Sequence, residues 1–360
     1  MSNFKTLACG DFHLSDRKYK NKDLEDFEEE VQKEAWNKIL SIIDEYKVDK
    51  LVLNGDTFDA PPVGTSLELF HNFMLSLKEK DLEIIMISGN HCLIEGLREK
   101  KYYPNLMKVK WWDNYGVKVF DYTEVDKTLY CSHGNIGKLE KLNKSYDLVF
   151  SHFRSGITGI ASDEIDVSLL NHKVGLVVLG DIHSRLSYDN IVYTGSPIDT
   201  SFGSSNELPD HQPSVLLLNE ATLEWEWKNT LTNTHRKYKR VYPSVKKFLE
   251  DVESLEQDVT SNNNFYKIVI QDKRHNLKAL DTSLYKHFAI IETSITDLLA
   301  EKQNNEVAKK VVESLSSKDI SSNLLDFILK NNDRIELVDN IKMAYHSYDV
   351  AALKEINDKA

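Results

Sequence analysis

Apolar runs alternate with short polar motifs along the first half of the chain. Five runs of mostly aliphatic residues are LACG, KLVLN, EIIMIS, YDLVF and VGLVVL, and the motifs that follow them are Asp11-Phe12-His13, Gly55-Asp56, Gly89-Asn90-His91, Ser151-His152 and Gly180-Asp181-Ile182-His183. Continuous Val, Ile and Leu stretches are typical of strands buried on both faces, and sheet-based enzymes carry their chemistry on the loops beyond the strand ends. We therefore expect five loops to converge on one site.

The same pattern predicts the secondary structure of the first half. Strands are predicted at residues 4–10, 48–54, 83–88, 115–120, 128–132, 147–151, 174–179, 190–194 and 214–218, and amphipathic helices at about 24–46 and 66–80. The order β-α-β-α-β followed mostly by strands predicts an α+β fold with a two-layered sheet core flanked by helices.

A second, smaller unit follows a polar loop at 203–213. The pattern there predicts strands at 236–242, 265–271 and 289–293 and helices at 245–255 and 277–284. From about Thr296 onwards the sequence is helical or connecting. We therefore predict a core domain at 1–225, a small α+β cap at 226–297, and a C-terminal helical region at 298–360 that packs on a partner or on the cap.

Composition places the chain among globular proteins of a reducing compartment. Its 360 residues are 41% apolar, enough for a substantial core, and the three cysteines are scattered without a CxxC motif. No signal-peptide pattern or membrane-length apolar run is present, so a cytoplasmic protein without membrane contact is expected. The net charge of -12 is unusual for a nucleic-acid binder, but acidic residues concentrate in segments such as 23–34, and bound cations would add local positive charge.

The five motifs together supply donors for two metal ions. The candidate ligands are Asp11, His13, Asp56, Asn90, His152 and His183. Asp56 could give one carboxylate oxygen to each ion, since the preceding glycine lets the chain turn sharply. A mixed nitrogen and oxygen set suits Mn²⁺ best, with Mg²⁺, Zn²⁺ or Fe²⁺ less favoured. Two such ions clamp a phosphodiester, so metal-assisted phosphoester hydrolysis is predicted.

Three nearby features need an interpretation. His91 follows Asn90 directly and is expected to be the general acid that protonates the departing oxygen. His133 also follows a strand and competes with His152 for the role of ligand, although the strand before His152 is the more apolar. Trp111 and Trp112 could stack on a nucleic-acid end, but ordinary packing is the preferred interpretation.

The helix from Ser66 to Lys80 has apolar residues on two faces. Leu67, Phe70, Met74 and Leu77 form one face, and Leu69 and Phe73 form another. A surface helix needs only one apolar face. We therefore predict that the second face is buried in a symmetric dimer with segment 97–106.

The ordered motif set resembles that of the calcineurin-like metallophosphoesterases. Within them the chain looks most like the SbcD-type DNA double-strand-break repair nucleases, especially the bacteriophage small subunit of the recombination endonuclease. The motifs span residues 11–183, and the YTGSP segment at Tyr193–Pro197 resembles that family's turn after the last ligands. The resemblance implies a two-sheet β-sandwich, manganese, exonuclease and endonuclease action on DNA in repair, recombination and replication, homodimerisation, and an SbcC-type coiled-coil ATPase partner.

The resemblance also implies roles for the matching residues. Asp11, His13 and His183 would hold the first metal, Asp56 would bridge, Asn90 and His152 would hold the second metal, and His91 would be the acid. Two positions depart from the family pattern. Asp181 stands where the family has histidine, and it could ligate the second metal in place of that imidazole. Cys92 stands where aspartate is common, which leaves open whether Asp59 orients His91 instead.

Two other functions stay open on the sequence alone. One is a phosphodiesterase or protein phosphatase of the same superfamily, although such enzymes generally lack the cap and the helical tail. The other is a non-catalytic scaffold that binds DNA ends, since Asp181 replaces a histidine of the family pattern.

Overall fold

The computed structural model describes residues 4–14, 21–59, 64–91, 110–155, 164–202 and 211–295. Its helices are α1 (Lys22–Tyr46), α2 (Gly64–Lys78), α3 (Val245–Asn262) and α4 (Arg274–Ala279). Its strands are β1 (Thr6–Cys9), β2 (Lys50–Asn54), β3 (Glu83–Ile87), β4 (Val117–Phe120), β5 (Tyr122–Val125), β6 (Thr128–Cys131), β7 (Tyr146–His152), β8 (Val174–Gly180), β9 (Leu186–Tyr188), β10 (Ile191–Tyr193), β11 (Ser214–Asn219), β12 (Glu224–Asn229), β13 (Lys237–Tyr242), β14 (Phe265–Asp272) and β15 (Ala289–Ile295). Short 3-10 helices cover Lys110–Tyr115, His133–Lys141, Val167–Leu169 and Thr282–Tyr285.

Two six-stranded mixed sheets form the core. The first has the order β12-β11-β1-β2-β3-β4. In it β1 to β4 run parallel, and β11 pairs antiparallel with both of its neighbours, β1 and β12. The second has the order β5-β6-β7-β8-β10-β9, in which β6, β7, β8 and β10 are parallel and the two edge strands are antiparallel. This arrangement confirms the predicted α+β class with a two-sheet core.

The central strands are buried on both faces, which explains their continuous apolar runs. One set of alternate residues from the two sheets forms a shared interior, and its members include Ala8, Val52, Ile85, Phe150, Val178 and Leu216. The other face of the first sheet, with Leu7, Leu51 and Leu53, packs in one cluster with side chains of α1 and α2. Alternate side chains of a strand point to opposite faces of the sheet, so a strand that is buried on both faces must be apolar throughout.

Three strands among the described residues were not predicted from the sequence, and all three lie at sheet edges. These are β5, β9 and β12, with the sequences YTEV, LSY and EWEWKN. None of their residues is fully buried. An edge strand is stabilised mainly by pairing with one neighbour, so it needs no apolar run, and charged residues there discourage pairing with another chain.

The predicted cap elements are present, with one correction. A three-stranded sheet has the order β13-β14-β15, with β13 parallel to β14, and α3 packs Phe248 against Tyr242 and Tyr285. The prediction of one helix at 277–284 is wrong. The chain instead leaves α4 through an extended Leu280, and Asp281 caps a separate 3-10 turn by accepting from the backbone nitrogen of Ser283.

The chain divides into two compact units. The described part of the first comprises the described residues within 4–242, 246–270 and 281–292, and that of the second comprises Pro243–Val245, Gln271–Leu280 and 293–295. In the second unit, Asp272 accepts hydrogen bonds from the backbone of Val245 (2.8 Å) and the side chain of Asn276 (2.9 Å). The predicted boundaries at 225 and 297 stay predictions, and region 298–360 lies outside the described residues.

The two apolar faces of α2 are both buried within this chain. Phe73 stacks on Trp36 of α1 with ring centroids 3.9 Å apart, and Leu69 is also buried. The sequence argument that this face needs a dimer partner is therefore wrong, and segment 97–106 lies outside the described residues. Trp112 is 3% exposed and lies against Phe70, which agrees with packing rather than stacking on a nucleic acid.

A buried ion pair joins the start of the cap sheet to the core. Arg236, just before β13, places Nε 2.7 Å from Oδ2 and Nη2 3.1 Å from Oδ1 of Asp199. Asp199 also accepts from the backbone nitrogen of Lys237, whose Nζ lies 2.6 Å from Glu28 of α1. Both partners of the Arg236–Asp199 pair are buried, so neither charge has water as an alternative partner.

Removing Asp199 is expected to destabilise the protein strongly. Asp199→Ala should lower the free energy of unfolding by about 3 kcal/mol, because it leaves the Arg236 guanidinium buried without its carboxylate. Asp44→Ala removes the carboxylate of an exposed pair with Lys80 and should cost less than about 1 kcal/mol. Urea unfolding of the two variants tests this prediction. Equal losses of unfolding free energy would show that the buried pair stabilises the protein no more than the exposed pair does.

No helix within the described residues is both long and apolar enough to cross a bilayer.

Candidate metal centre

The five motifs lie at the carboxyl ends of five parallel strands. Asp11 and His13 follow β1, Asp56 follows β2, and Asn90 and His91 follow β3 in the first sheet. His152 ends β7, and Asp181 and His183 follow β8 in the second sheet. Because neighbouring parallel strands end at the same edge, each sheet brings its motifs to one rim. Contacts between the motifs, described below, show that the two rims meet in a single site.

The backbone around the ligands is held in unusual conformations. Asp11, His13, Asp56 and Asp181 all have positive φ, at 57°, 49°, 44° and 89°. Side chains other than glycine adopt this region rarely, and aspartate tolerates it better than most. Four such residues in one site indicate that tertiary contacts fix the loops. Gly55, with φ 90°, also admits the ring of His152 where a Cβ would overlap it.

The first group of donors is Asp11, His13 and His183. Nε2 of His13 lies 3.9 Å from Oδ1 of Asp11 and 3.2 Å from Nε2 of His183. Nε2 of His183 lies 3.9 Å from the same aspartate oxygen. Two donors that each bind one ion at about 2.1 Å lie no more than about 4.2 Å apart, so these three atoms fit around one cation.

The second group surrounds Nε2 of His152. This atom lies 3.2 Å from Oδ2 of Asp56, 3.2 Å from Oδ1 of Asn90 and 3.8 Å from Oδ1 of Asp181. Oδ2 of Asp56 also lies 3.7 Å from Nε2 of His13 in the first group. The same oxygen therefore lies near donors of both groups, whereas the sequence analysis expected one carboxylate oxygen for each ion.

Each of the three ligand imidazoles turns Nε2 into the site because Nδ1 has a partner behind it. Nδ1 of His152 donates to the carbonyl of Asn54 at 2.9 Å, and Nδ1 of His13 donates to Asp59 at 3.2 Å. Nδ1 of His183 pairs with Thr200 at 2.7 Å. Such partners fix the tautomer and the ring orientation, and they are the usual support of metal-bound histidine.

Electrostatics in the site favour a bound cation. Burial raises the pKa of Asp11. Burial also opposes the charged form of His152, but the carboxylates of Asp56 and Asp11 outweigh it and raise the pKa of His152 to about 10. Burial also opposes ionisation of Asp56, but His152 and His13 hold the pKa of that carboxyl well below its usual range. Carboxylates that stabilise a proton on the imidazole would equally stabilise a divalent ion in its place.

The donor set fits two divalent cations. Oδ2 of Asp56 is buried and has no hydrogen bond of good geometry, and the atoms near it are Nε2 of His152 and of His13, so a cation among them would satisfy it. Three combinations of described side chains bring their donor atoms within 4.8 Å of one another: Asp11, His13 and His183; His13, Asp56 and His91; and Asp11, Asp56 and His152. Carboxylate, amide and imidazole donors together suit Mn²⁺.

His91 stands at the open side of the centre with Asp59 behind it. Its side chain is 44% exposed, and Nδ1 lies 2.9 Å from Oδ1 of Asp59. The hydrogen bond to Asp59 raises the pKa of His91 against the opposing effect of burial. Asp59 therefore contacts both His91 and His13. The sequence left the role of Asp59 open, and its position three residues after Asp56 was the only signal.

Two further residues lie near the centre: His133, which the sequence offered as an alternative ligand, and Arg154, which the sequence analysis did not identify. His133 was the alternative to His152, but its Nδ1 lies 3.1 Å from the backbone carbonyl of His152. It supports the segment that carries the ligand and lies in none of the three donor groups. Arg154 was not considered, although Nε lies 2.7 Å from Oδ2 of Asp181. Its nearness to His152 in sequence is the only signal that could have found it.

This fold and this site define a metal-dependent phosphoesterase. The chain belongs to the calcineurin-like phosphoesterase family, whose model matches residues 4–185. No curated protein matches the chain. A solved structure that is similar to it is a nuclease of Pseudomonas putida, MPE, at 10% identity and a TM-score of 0.29, over 59% of this chain and 84% of that one. These values do not support a shared function.

Replacing Asp59 should shift the pH dependence of hydrolysis. In Asp59→Asn the pKa of His91 is expected to fall, because the carboxylate that stabilises the imidazolium is gone. A general acid is active while protonated, so the alkaline limb of kcat/KM should move to lower pH. Saturating metal is needed, since His13 also loses its partner. An unchanged alkaline limb would contradict this role of Asp59.

Proposed function

We propose that the protein is a manganese-dependent DNA nuclease subunit that hydrolyses phosphodiesters with two metal ions. The observation that carries the metal chemistry is that one oxygen of Asp56 reaches both donor groups. The proposal that the substrate is DNA is supported by the motif order of SbcD-type nucleases and by the α+β module after the core. The net charge of -12 is compatible with DNA because two bound cations would meet the phosphates.

In this mechanism the protein's residues position, orient and donate a proton. Asp11, His13 and His183 would hold one ion, Asn90, His152 and Asp181 the other, and Asp56 both. When bound, the ions supply charge stabilisation at the phosphate and lower the pKa of a water molecule. Nδ1 of His91 is held by Asp59, which leaves Nε2 to give its proton to the oxygen that leaves phosphorus. The exposure of His91 gives a substrate access to that proton.

We further propose that the subunit works with an SbcC-type coiled-coil ATPase and forms a homodimer. The complex would process DNA ends in recombination, repair and replication. Its location would be the cytoplasm, or the host cytoplasm if the protein is phage-encoded. These proposals rest on the resemblance of the motif set alone. Purification from the native host with mass measurement of bound proteins tests the ATPase. Sedimentation over a range of concentrations tests the dimer, and a monomer at every concentration would contradict it.

Substrate preference separates the nuclease from the other enzymes of the superfamily. We expect linear DNA to be degraded with Mn²⁺, and p-nitrophenyl phosphate, a monoester, to be a poor substrate. A preference for the monoester over DNA would favour a phosphatase. Failure to bind manganese at all would favour a non-catalytic scaffold.

A further inference from the structure

Asp181 is a buried carboxylate with a partly buried partner of opposite charge, Arg154, and this pair belongs to the second metal group. Nε of Arg154 forms an ion pair with Oδ2 of Asp181 at 2.7 Å, and no other described residue donates a hydrogen bond to that oxygen. The Asp181 side chain is 5% exposed and that of Arg154 is 30% exposed. Both residues follow strand ends, because Arg154 comes two residues after β7 and Asp181 directly after β8.

The two carboxylate oxygens of Asp181 face different neighbours. Oδ2 faces the guanidinium, while Oδ1 lies 3.8 Å from Nε2 of His152, a separation that two donors to one ion can have. The backbone of Asp181 is fixed as well, since its nitrogen donates to Asp11 at 3.1 Å and its φ is 89°. The side chain therefore presents one oxygen to the second group and keeps the other on the arginine.

Arg154 is itself held in place from the opposite side. Its backbone nitrogen donates to Oε2 of Glu164 at 2.9 Å, and Nη2 lies 3.7 Å from Oε1 of the same residue. An arginine held between two carboxylates loses less freedom when it orients one of them.

The charges of the pair also balance. A carboxylate at position 181 adds one negative charge compared with a neutral imidazole, and the guanidinium of Arg154 adds one positive charge. With Asp181 and Arg154 both charged, the net charge of the centre is therefore the same as it would be with a neutral histidine at position 181. A carboxylate donor in place of an imidazole also shifts the preference of the group from Zn²⁺ towards harder ions such as Mn²⁺.

We propose that Arg154 is a positioning residue that holds Asp181 by Oδ2, so that Oδ1 serves as a ligand of the second metal ion. This inference rests on the proposed two-metal function. It predicts that Arg154 acts on metal affinity without contacting the metal or the substrate. Loss of a residue that orients a metal ligand typically weakens metal binding by about 10-fold to 100-fold.

The test is to titrate metal-free full-length protein with Mn²⁺ and to monitor the titration by calorimetry and by electron paramagnetic resonance. The unaltered protein should bind two ions and show the spectrum of a coupled pair. Arg154→Gln should bind the second ion at least about tenfold more weakly and show isolated Mn²⁺ at the concentration that fills both sites of the unaltered protein. Arg154→Lys should recover part of the affinity, because it restores the positive charge.

Two variants separate this role from a general loss of structure. Arg240→Gln makes the same chemical change on the exposed part of β13 and should leave both affinities unchanged. Glu164→Gln keeps an acceptor for the backbone of Arg154 but removes the second carboxylate beside the guanidinium, so it should weaken binding of the second ion less than Arg154→Gln does. In Asp181→Asn the second ion should already bind weakly, and adding Arg154→Gln should weaken it little further.

Each remaining outcome contradicts a specific statement. Equal affinities in Arg154→Gln and the unaltered protein would overturn the role of Arg154 alone. Tighter binding in Arg154→Gln would also overturn it, since Arg154 would then compete with the ion for Asp181. Fewer than two ions bound by the unaltered protein would overturn both this inference and the proposed metal centre. Two bound ions without hydrolysis of DNA would contradict the proposed substrate only.

Discussion

Asp56→Asn is expected to lower metal-dependent phosphodiester hydrolysis by at least about 10³-fold, to the limit of detection in a DNA degradation assay. Oδ2 of Asp56 lies within 3.7 Å of donors in both groups, so the change removes a charged oxygen that reaches both of them. Asparagine has nearly the same shape but is neutral, and its amide nitrogen cannot ligate. Mn²⁺ calorimetry of the variant should show that at least one of the two ions is lost.

The matched control for this change is Asp147→Asn. Asp147 lies near the start of β7, whereas His152 ends the same strand, so about 17 Å of strand separates it from the centre. The side chain of Asp147 is exposed and pairs only loosely with Lys127 at 3.6 Å. This variant should keep its activity and both metal ions. An Asp56→Asn protein that still binds two ions and cleaves DNA would show that the bridging role is wrong.

The central strands and the site were predictable because the same physical requirement produces both. A strand buried on two faces must be apolar, and the loop at its end must be polar to serve as a ligand. The apolar runs give way to polar residues at the ends of four central strands, and each of these strands ends within three residues of a donor: β2, β3, β7 and β8. The position of every donor in the sequence therefore marked the end of a strand, and parallel pairing placed these ends together.

Edge strands and supporting contacts were not predictable from such a pattern. β12 has the sequence EWEWKN and is defined by its pairing with β11, which depends on tertiary structure. The contact between Arg154 and Asp181 joins residues 27 positions apart, and that between Arg236 and Asp199 joins residues 37 positions apart. A single sequence contains no signal for which of many charged residues meet across such separations.

The departures from the family pattern are easier to understand with these contacts. The resemblance implies a histidine at position 181, and the negative charge that Asp181 adds there has a compensating partner, since Nε of Arg154 lies 2.7 Å away. Similarly, Asp59 reaches His91 at 2.9 Å and can orient that imidazole. In both cases a residue outside the motif could supply the interaction that the motif position would otherwise provide.

His91→Gln is expected to lower the rate of DNA hydrolysis by about 10² to 10⁴-fold while leaving Mn²⁺ affinity nearly unchanged. Nδ1 of His91 is held by Asp59, and although His91 also lies near donors of His13 and Asp56, it is not among the atoms around Nε2 of His152. Its loss should therefore remove a proton donor rather than a principal ligand. Rates at saturating DNA and calorimetry on the same preparations provide the measurement. His172→Gln, an exposed histidine in a turn, is the control and should behave as the unaltered protein.

The leaving group decides whether the lost factor belongs to general acid catalysis. Deoxyribose oxygen must be protonated as it leaves phosphorus, whereas p-nitrophenolate is stable as an anion and needs no proton. His91→Gln should therefore be impaired much less on bis-p-nitrophenyl phosphate than on DNA. If the variant loses the same factor on both substrates, His91 acts on metal or substrate binding rather than as the acid. The ratio of the two losses thus measures the contribution of the proton that Asp59 helps to hold on the imidazole.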